Sequence, residues 1–351
     1  MPSALYVCLQ DEDKVAAFML DDGTGQLTRQ DEVSASGGPS VLTTSPDRRV
    51  LYLGHRTAPA ISSFWIDRDS GALALQGTVS AEHAPTFLAT DRTGKFLLSA
   101  YYQGGYVAVH PLGADGSVTA LPLERLDTAA GAHAIQTDRS NRFAFVPHIA
   151  RLNDNVLEPL RESHGPNVIF QFKFDVQSGR LTANSPLRLE PAERLGPRHY
   201  CFHPSHDLVY FSNEQGSSVT AYRLDPARGT LSAVQTVTTL PDGHTARNTC
   251  SQIHMTPSGR YLYVGNRGHN SVAGFAVDTA GRLSAIGRAS TEPVPTAFSL
   301  DPAGRFIFAA GSASGDLASY RIDEETGVLT PLATYALGQR PQAVLATRLG
   351  L

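Results

Sequence analysis

The sequence predicts an all-β protein, a seven-bladed β-propeller with four antiparallel strands per blade. Three observations carry that reading: an internal repeat, turn chemistry at fixed places within it, and incomplete repeats at the two ends. Glycine (31) and proline (22) punctuate the chain of 351 residues, and short β-branched and aromatic runs lie between them, as in all-β proteins. Seven segments align: PSVLTTSPDRRVLYL from Pro39, PTFLATDRTGKFLLS from Pro85, AHAIQTDRSNRFAFV from Ala132, PRHYCFHPSHDLVYF from Pro197, CSQIHMTPSGRYLYV from Cys250, PTAFSLDPAGRFIFA from Pro295 and PQAVLATRLGL from Pro341. Their anchors are separated by 46, 47, 65, 53, 45 and 46 residues, and a period near 46 suits one four-stranded blade.

Within each repeat a first strand ends in a turn such as SPDRR, DRTGK, TPSGR or DPAGR, whose residues supply short polar side chains and the backbone freedom of a tight hairpin. A second strand follows, then a third such as AISSFWID or SVTAYRLD. A turn such as RDSGAL or PARGTL then leads to an outer strand. The last segment offers only an inner strand, whereas residues 3–30 read as second, third and outer strands. Pairing the two ends completes the seventh blade and leaves only short protected edges. The expectation is one domain over residues 1–351, without the GH…WD signature of WD repeats.

Two intervals exceed the period. The longer carries an insertion at about 149–167, IARLNDNVLEPLRESHGPN, between second and third strands. The other carries LPDGHTARNT (240–249) just before an inner strand. In an up-and-down blade both positions open on the same rim, and loops on one face of a repeat scaffold are where function usually lives.

Composition excludes several classes. Hydrophobic residues make up 41% and charged residues 18%, with a formal charge of −4 and no basic run, so no field recruits nucleic acid or a membrane surface. No apolar stretch has the length of a membrane span, and the first residues, MPSALYVCLQDEDK, lack the pattern of a signal peptide, so a cytoplasmic location is expected. Cys8, Cys201 and Cys250 lie in apolar runs without CxxC spacing and read as buried thiols. No cofactor and no metal is expected. His199, His203 and His206 resemble a ligand cluster, but four strand residues at about 3.3 Å each separate His199 from His203 by roughly 13 Å. ADGS (114–117) lacks a following helix and reads as a hairpin turn, not a phosphate cradle.

Two columns of the repeat converge on the decorated rim. One residue past the anchor stand Ser40, Thr86, His133, Arg198, Ser251, Thr296 and Gln342. Seventeen past it stand Arg56, Tyr102, Ile149, Glu214, Arg267 and Ser312. His133 with Arg198, and Glu214 with Arg267, are neighbours in adjacent blades, so pseudosymmetry gathers all four at one wall of the channel mouth. A carboxylate beside an imidazole can deliver water, while guanidiniums bind carboxylate or phosphate and hold a developing oxyanion. A channel-lining salt-bridge network is the alternative. Arg56, Tyr102 and His199 are candidate substrate contacts. His148 and His164, flanking the insertion, are either further contacts or solvated loop side chains.

GPRHYCFHP (196–204), VYFSNEQGSSV (209–219) and IHMTPSGRYLYVGNR (253–267) together resemble the seven-bladed propeller lactonases, a family that includes bacterial 6-phosphogluconolactonases of the propeller type and the fungal carboxy-cis,cis-muconate cyclase. The resemblance covers essentially the whole chain. It implies a site of one His, two Arg and one Glu, which by motif fall on His133, Arg198, Arg267 and Glu214. It further implies hydrolysis of a sugar-derived lactone of the 6-phosphogluconolactone kind, with a small anionic substrate as the partner and a monomer or weak homo-oligomer as the assembly. A lactone isomerase or cycloisomerase, and a non-catalytic binding propeller, are the alternatives. One departure bears on the substrate: the lactonases it resembles have a short loop where this chain carries Arg151, Asp154, Glu158, Arg161 and His164.

Overall fold

A computed structural model describes residues 2–160 and 163–350. It contains seven four-stranded antiparallel sheets arranged as propeller blades. Six blades are continuous in sequence: I (39–80), II (87–127), III (136–189), IV (197–238), V (249–290) and VI (295–336). Blade VII takes its inner strand from Pro341–Arg348 and its other three from Ser3–Leu9, Lys14–Leu20 and Leu27–Ser34. Leu5 opposes Ala346 and Tyr6 opposes Leu345 in the closing pair. The terminal closure read from the incomplete repeats is therefore present.

Burial follows position within the blade. Second strands such as Val50–His55, Phe143–His148 and Leu208–Asn213 are buried along their whole length, because neighbouring blades cover both faces. They are accordingly near-continuous apolar runs. Outer strands face solvent on one side, and Leu27–Ser34 buries only its first residue. Seven core clusters each join adjacent blades: Leu208 and Tyr210 of blade IV, for example, pack with Leu262 and Val264 of blade V.

The turn between first and second strands works by one device in several chemistries. Asp91, Asp138 and Asp301 each accept backbone N–H groups from the residues that follow, as Asp91 does from Thr93, Lys95 and Phe96. Ser45 Oγ accepts from Arg49 and Val50, and His203 Nδ1 accepts from Ser205 and His206. His203 is thus a turn cap, as its alignment with the aspartates indicated.

On the same rim the turn into the outer strand carries a glycine that packs on the previous blade. Gly229 has φ +69°, and a Cβ there would lie 1.9 Å from the Phe143 ring. Gly229→Ala is therefore expected to destabilise the fold by about 1–3 kcal/mol, from overpacking and left-handed backbone together. A denaturant melt checks it, and an unchanged midpoint would refute the close approach.

Blade III departs from the expectation. Its inner strand is reduced to Gln136–Thr137 plus a single bridge between Ala132 and His148. Pro147, which has no N–H to give the ladder, lies on the facing strand; His133 N–H donates to its carbonyl instead. The insertion leaves this blade between Phe143–His148 and Val168–Phe174, as expected. Both long loops meet on one rim: Arg247 pairs with Asp154 and donates to the Glu158 carbonyl. Arg161 lies outside the described residues.

Cys8 and Cys250 are buried, Cys201 is half-buried, and all three are free thiols. Burial pushes the thiol of each up, that of Cys250 to about 12, so none is poised as a nucleophile. No described helix is long and apolar enough to cross a membrane.

Candidate active site

The mouth of the channel is shaped by a backbone irregularity that recurs between blades. In blade IV, Pro197 opposes Asn213 and Tyr200 opposes Phe211, so Arg198 and His199 together face the single residue Ser212. That is a β-bulge, which bends the strand and re-aims the side chains it carries. Ser212 holds it, donating from Oγ to the carbonyls of His199 and Ser251. Blade V repeats it, with Ser251 and Gln252 opposite Gly265. A Cβ on Gly265 would sit 2.3 Å from Ser251 Oγ, so glycine is required there. Blades I and VI shift register at Ser40 and Thr296, again one residue past the anchor.

Arg198 and Glu214 leave the two ends of this hairpin toward one another. Arg198 Nε lies 2.8 Å from Glu214 Oε2, and Arg267 from blade V places a terminal nitrogen 2.9 Å from Glu214 Oε1. A carboxylate thus sits between two guanidiniums, each from a different blade. Arg267 also donates to the Cys250 carbonyl at 3.0 Å. His133 completes the wall: its ring meets His199 edge-to-face at 5.0 Å and Tyr102 at 5.7 Å. His199 reaches across to Phe87 of blade II at 5.1 Å, passing blade III, and so projects into the channel.

These groups are dry. Arg198 and His133 are each 7% exposed and Glu214 4%. Burial drives the His133 imidazole well below its ordinary range, reinforced by the positive charges of Arg198, Arg267 and Arg56. His199 is lowered in the same way, by burial first and then by Arg198. Both rings are consequently neutral at pH 7. Burial lowers Arg198 to about 10, with the repulsion of Arg267 added, which leaves it charged at pH 7. Burial raises Tyr102 to about 12.

The cluster is not self-satisfied. Two of its buried polar atoms, His133 Nδ1 and Arg267 Nε, have no hydrogen-bond partner. Arg198 Nε and Glu214 Oε2 are ion-paired at 2.8 Å. A network built only to close a channel would pair such atoms, because an unmatched buried polar group costs about 1–3 kcal/mol. The arrangement gathers two cations, one carboxylate and a neutral imidazole at the mouth. Among the described residues no three His, Cys, Asp or Glu side chains group as metal ligands.

The remaining candidates divide. Tyr102 lies against His133, its hydroxyl accepting from Asn153 N–H of the insertion at 2.8 Å. Arg56 is exposed at the rim. His148 requires a correction: it is fully buried, with Nδ1 3.3 Å from the Val168 carbonyl and Nε2 3.0 Å from Thr128 Oγ1. Its position is that of Asn213 and Asn266, which likewise tie second strand to third through Ser218 and Ser271. It is a structural strand clamp, neither solvated nor open to substrate. His164 is exposed on the return arm of the insertion, bridged to Arg151, away from the buried cluster.

Sequence reasoning missed His254 and Gln252, which extend the polar wall down the channel. His254 Nε2 lies 3.2 Å from Gln252 Oε1, its ring packs on Phe298, and burial lowers it to about 4. The signal was present in the repeat, two and four residues past the anchor Cys250. It also missed Gln215, whose side chain accepts from Ala150 N–H and donates to the Arg151 carbonyl, pinning the insertion to blade IV.

Comparison with known proteins agrees over the full length. The family model described as lactonase, 7-bladed beta-propeller, matches residues 5–346. The 6-phosphogluconolactonases of Pectobacterium carotovorum and Yersinia pestis are each 34% identical over 346 residues, covering 98% of both chains. Among solved structures, the periplasmic gluconolactonase of Pseudomonas aeruginosa superposes with a TM-score of 0.87 at 24% identity, covering 99% of this chain and 100% of that one. A Lactobacillus plantarum protein gives 0.86 at 23%, with the same coverage. The chain belongs to the seven-bladed β-propeller lactonase family.

Proposed function

We propose that this protein hydrolyses the ring ester of a sugar-derived lactone bearing an anionic group, of the 6-phosphogluconolactone kind. The observation that carries it is the buried Arg198–Glu214–Arg267–His133 cluster, with His133 Nδ1 and Arg267 Nε lacking partners. The names of the relatives support the substrate class.

Water adds to the lactone carbonyl, and its proton passes to a base at the mouth. His133, neutral with Nδ1 unengaged, accepts it, while Glu214 orients the water. The carbonyl oxygen becomes an oxyanion, held by the guanidiniums of Arg198 and Arg267 in a site without competing solvent. Collapse breaks the ring C–O bond. The departing alkoxide takes the proton back from the imidazolium, and the product acid then loses its own proton to solvent.

A pH-stat panel of phosphorylated, unphosphorylated and dicarboxylic lactones tests this on wild type and Arg198→Ala. Turnover of a sugar lactone, reduced at least about 10²-fold in Arg198→Ala, is expected. No turnover of any lactone would overturn it, and carbon-bound deuterium in a product formed in D₂O would indicate isomerisation. Because the base is an imidazole lowered by burial, kcat/KM corrected for spontaneous hydrolysis should stay level from pH 8 down to 6.5. Its acid limb should lie below that. A limb centred at or above 6.5 would remove His133 from the role. The three free thiols fit a cytoplasmic location, which cell fractionation tests.

A further inference from the structure

We infer that Arg56 is the anion-recognition residue of the site: a receptor, on the wall away from Glu214, for a phosphate or carboxylate carried by the substrate remote from its lactone carbonyl. This rests on the lactone reading above. Arg56 follows the second strand of blade I, Val50–His55, at the place where Tyr102 follows that of blade II and Glu214 that of blade IV. The repeat therefore puts it on the channel mouth, and its charge is felt by both Tyr102 and His133.

Two features set it apart from the other arginines of the rim. Arg198 and Arg267 are committed to Glu214, and Arg151 and Arg247 to Asp154. Arg340 is loosely paired with Asp11 at 3.7 Å. Among the described residues, Arg56 has no acidic partner, and its guanidinium makes no hydrogen bond. It is also held near a like charge, Arg340, which opposes its ionisation after desolvation. A rim cation with no carboxylate of its own, near a second arginine, is the arrangement an incoming anion would relieve. The paired arginines can grip the carbonyl only while Glu214 stays between them, so a second negative group on the substrate needs a separate cation.

The test compares 6-phosphoglucono-δ-lactone, a uronic-acid lactone and neutral glucono-δ-lactone as substrates for wild type, Arg56→Gln and Arg56→Lys. Expected is a fall of about tenfold or more in the ratio of kcat/KM for an anionic lactone over the neutral one in Arg56→Gln. The fall should be carried by KM, with partial recovery in Arg56→Lys. The two anionic arms tell phosphate from carboxylate. A ratio unchanged within twofold would overturn the assignment. If no lactone is turned over, calorimetric binding of 6-phosphogluconate against gluconate decides. Loss of preference for the phosphorylated acid in Arg56→Gln would sustain Arg56 as the receptor while the hydrolytic reading fell. Equal preference in wild type and variant would end both.

Discussion

Glu214→Gln should lower kcat/KM by about 10²-fold or more, measured at a temperature below the variant's own melting transition. The amide keeps the volume and one acceptor, so packing survives. What is lost is the negative charge between Arg198 and Arg267, whose nitrogens lie 2.8 and 2.9 Å from its two oxygens. Without it the guanidiniums face one another across a neutral group. Neither is then oriented toward the carbonyl, and the water loses its carboxylate partner. Near wild-type turnover would sink the role of Glu214. Both variants leave the two cations without their counter-charge; the harsher change, Glu214→Ala, also removes volume and acceptor and is expected to cost the more stability, about 3–5 kcal/mol. The pair of variants therefore separates chemistry from scaffold.

Acid should unfold this protein earlier than its carboxylates alone would dictate. His133, His148, His199 and His254 are all held neutral by burial, His148 and His254 at about 4 and the other two well below 6.5. In the unfolded chain each titrates at about 6.5. Between those values the unfolded state binds protons that the folded state refuses, so stability is complete above 6.5 and falls as pH drops toward 4. Each histidine contributes at most about 1.4 kcal/mol per pH unit in that window, and four together roughly 5. Urea melts at pH 7, 6 and 5 should show a progressive loss. A midpoint constant from pH 7 to 5 would contradict the buried neutral rings. Arg198 does not share this trend, since it keeps its charge throughout the range.

The fold was legible because a propeller writes its period into the chain. Turn residues such as Asp91, Asp138 and Asp301 recur where the backbone N–H groups need an acceptor, and the all-apolar second strands recur where two blades cover both faces. The broken inner strand of blade III was not legible, since its cause is one proline on the facing strand. Arg198, Glu214, Arg267 and His133 emerged from comparing equivalent positions, which works while the irregularity at the mouth repeats from blade to blade. His148 misled because it flanks an insertion. The neighbouring column, with Asn213 and Asn266 making the same strand-to-strand bonds, shows its actual task. The clasp between Arg247 and Asp154 was beyond reach, being made by two irregular loops 93 residues apart.

The bulge at the channel mouth has an evolutionary consequence. Because the extra residue is absorbed locally, Tyr200 and Ile253 resume their regular partners immediately below it. In blade IV the residues at the bulge, Arg198 and His199, answer to the lumen and not to the interleaved aromatics of the core. The propeller thereby offers a set of equivalent addresses, occupied here by Ser40, Arg198 and Thr296 among others. Selection can rewrite these one blade at a time. A new specificity would need only a few substitutions at such addresses, with the architecture that presents them inherited intact.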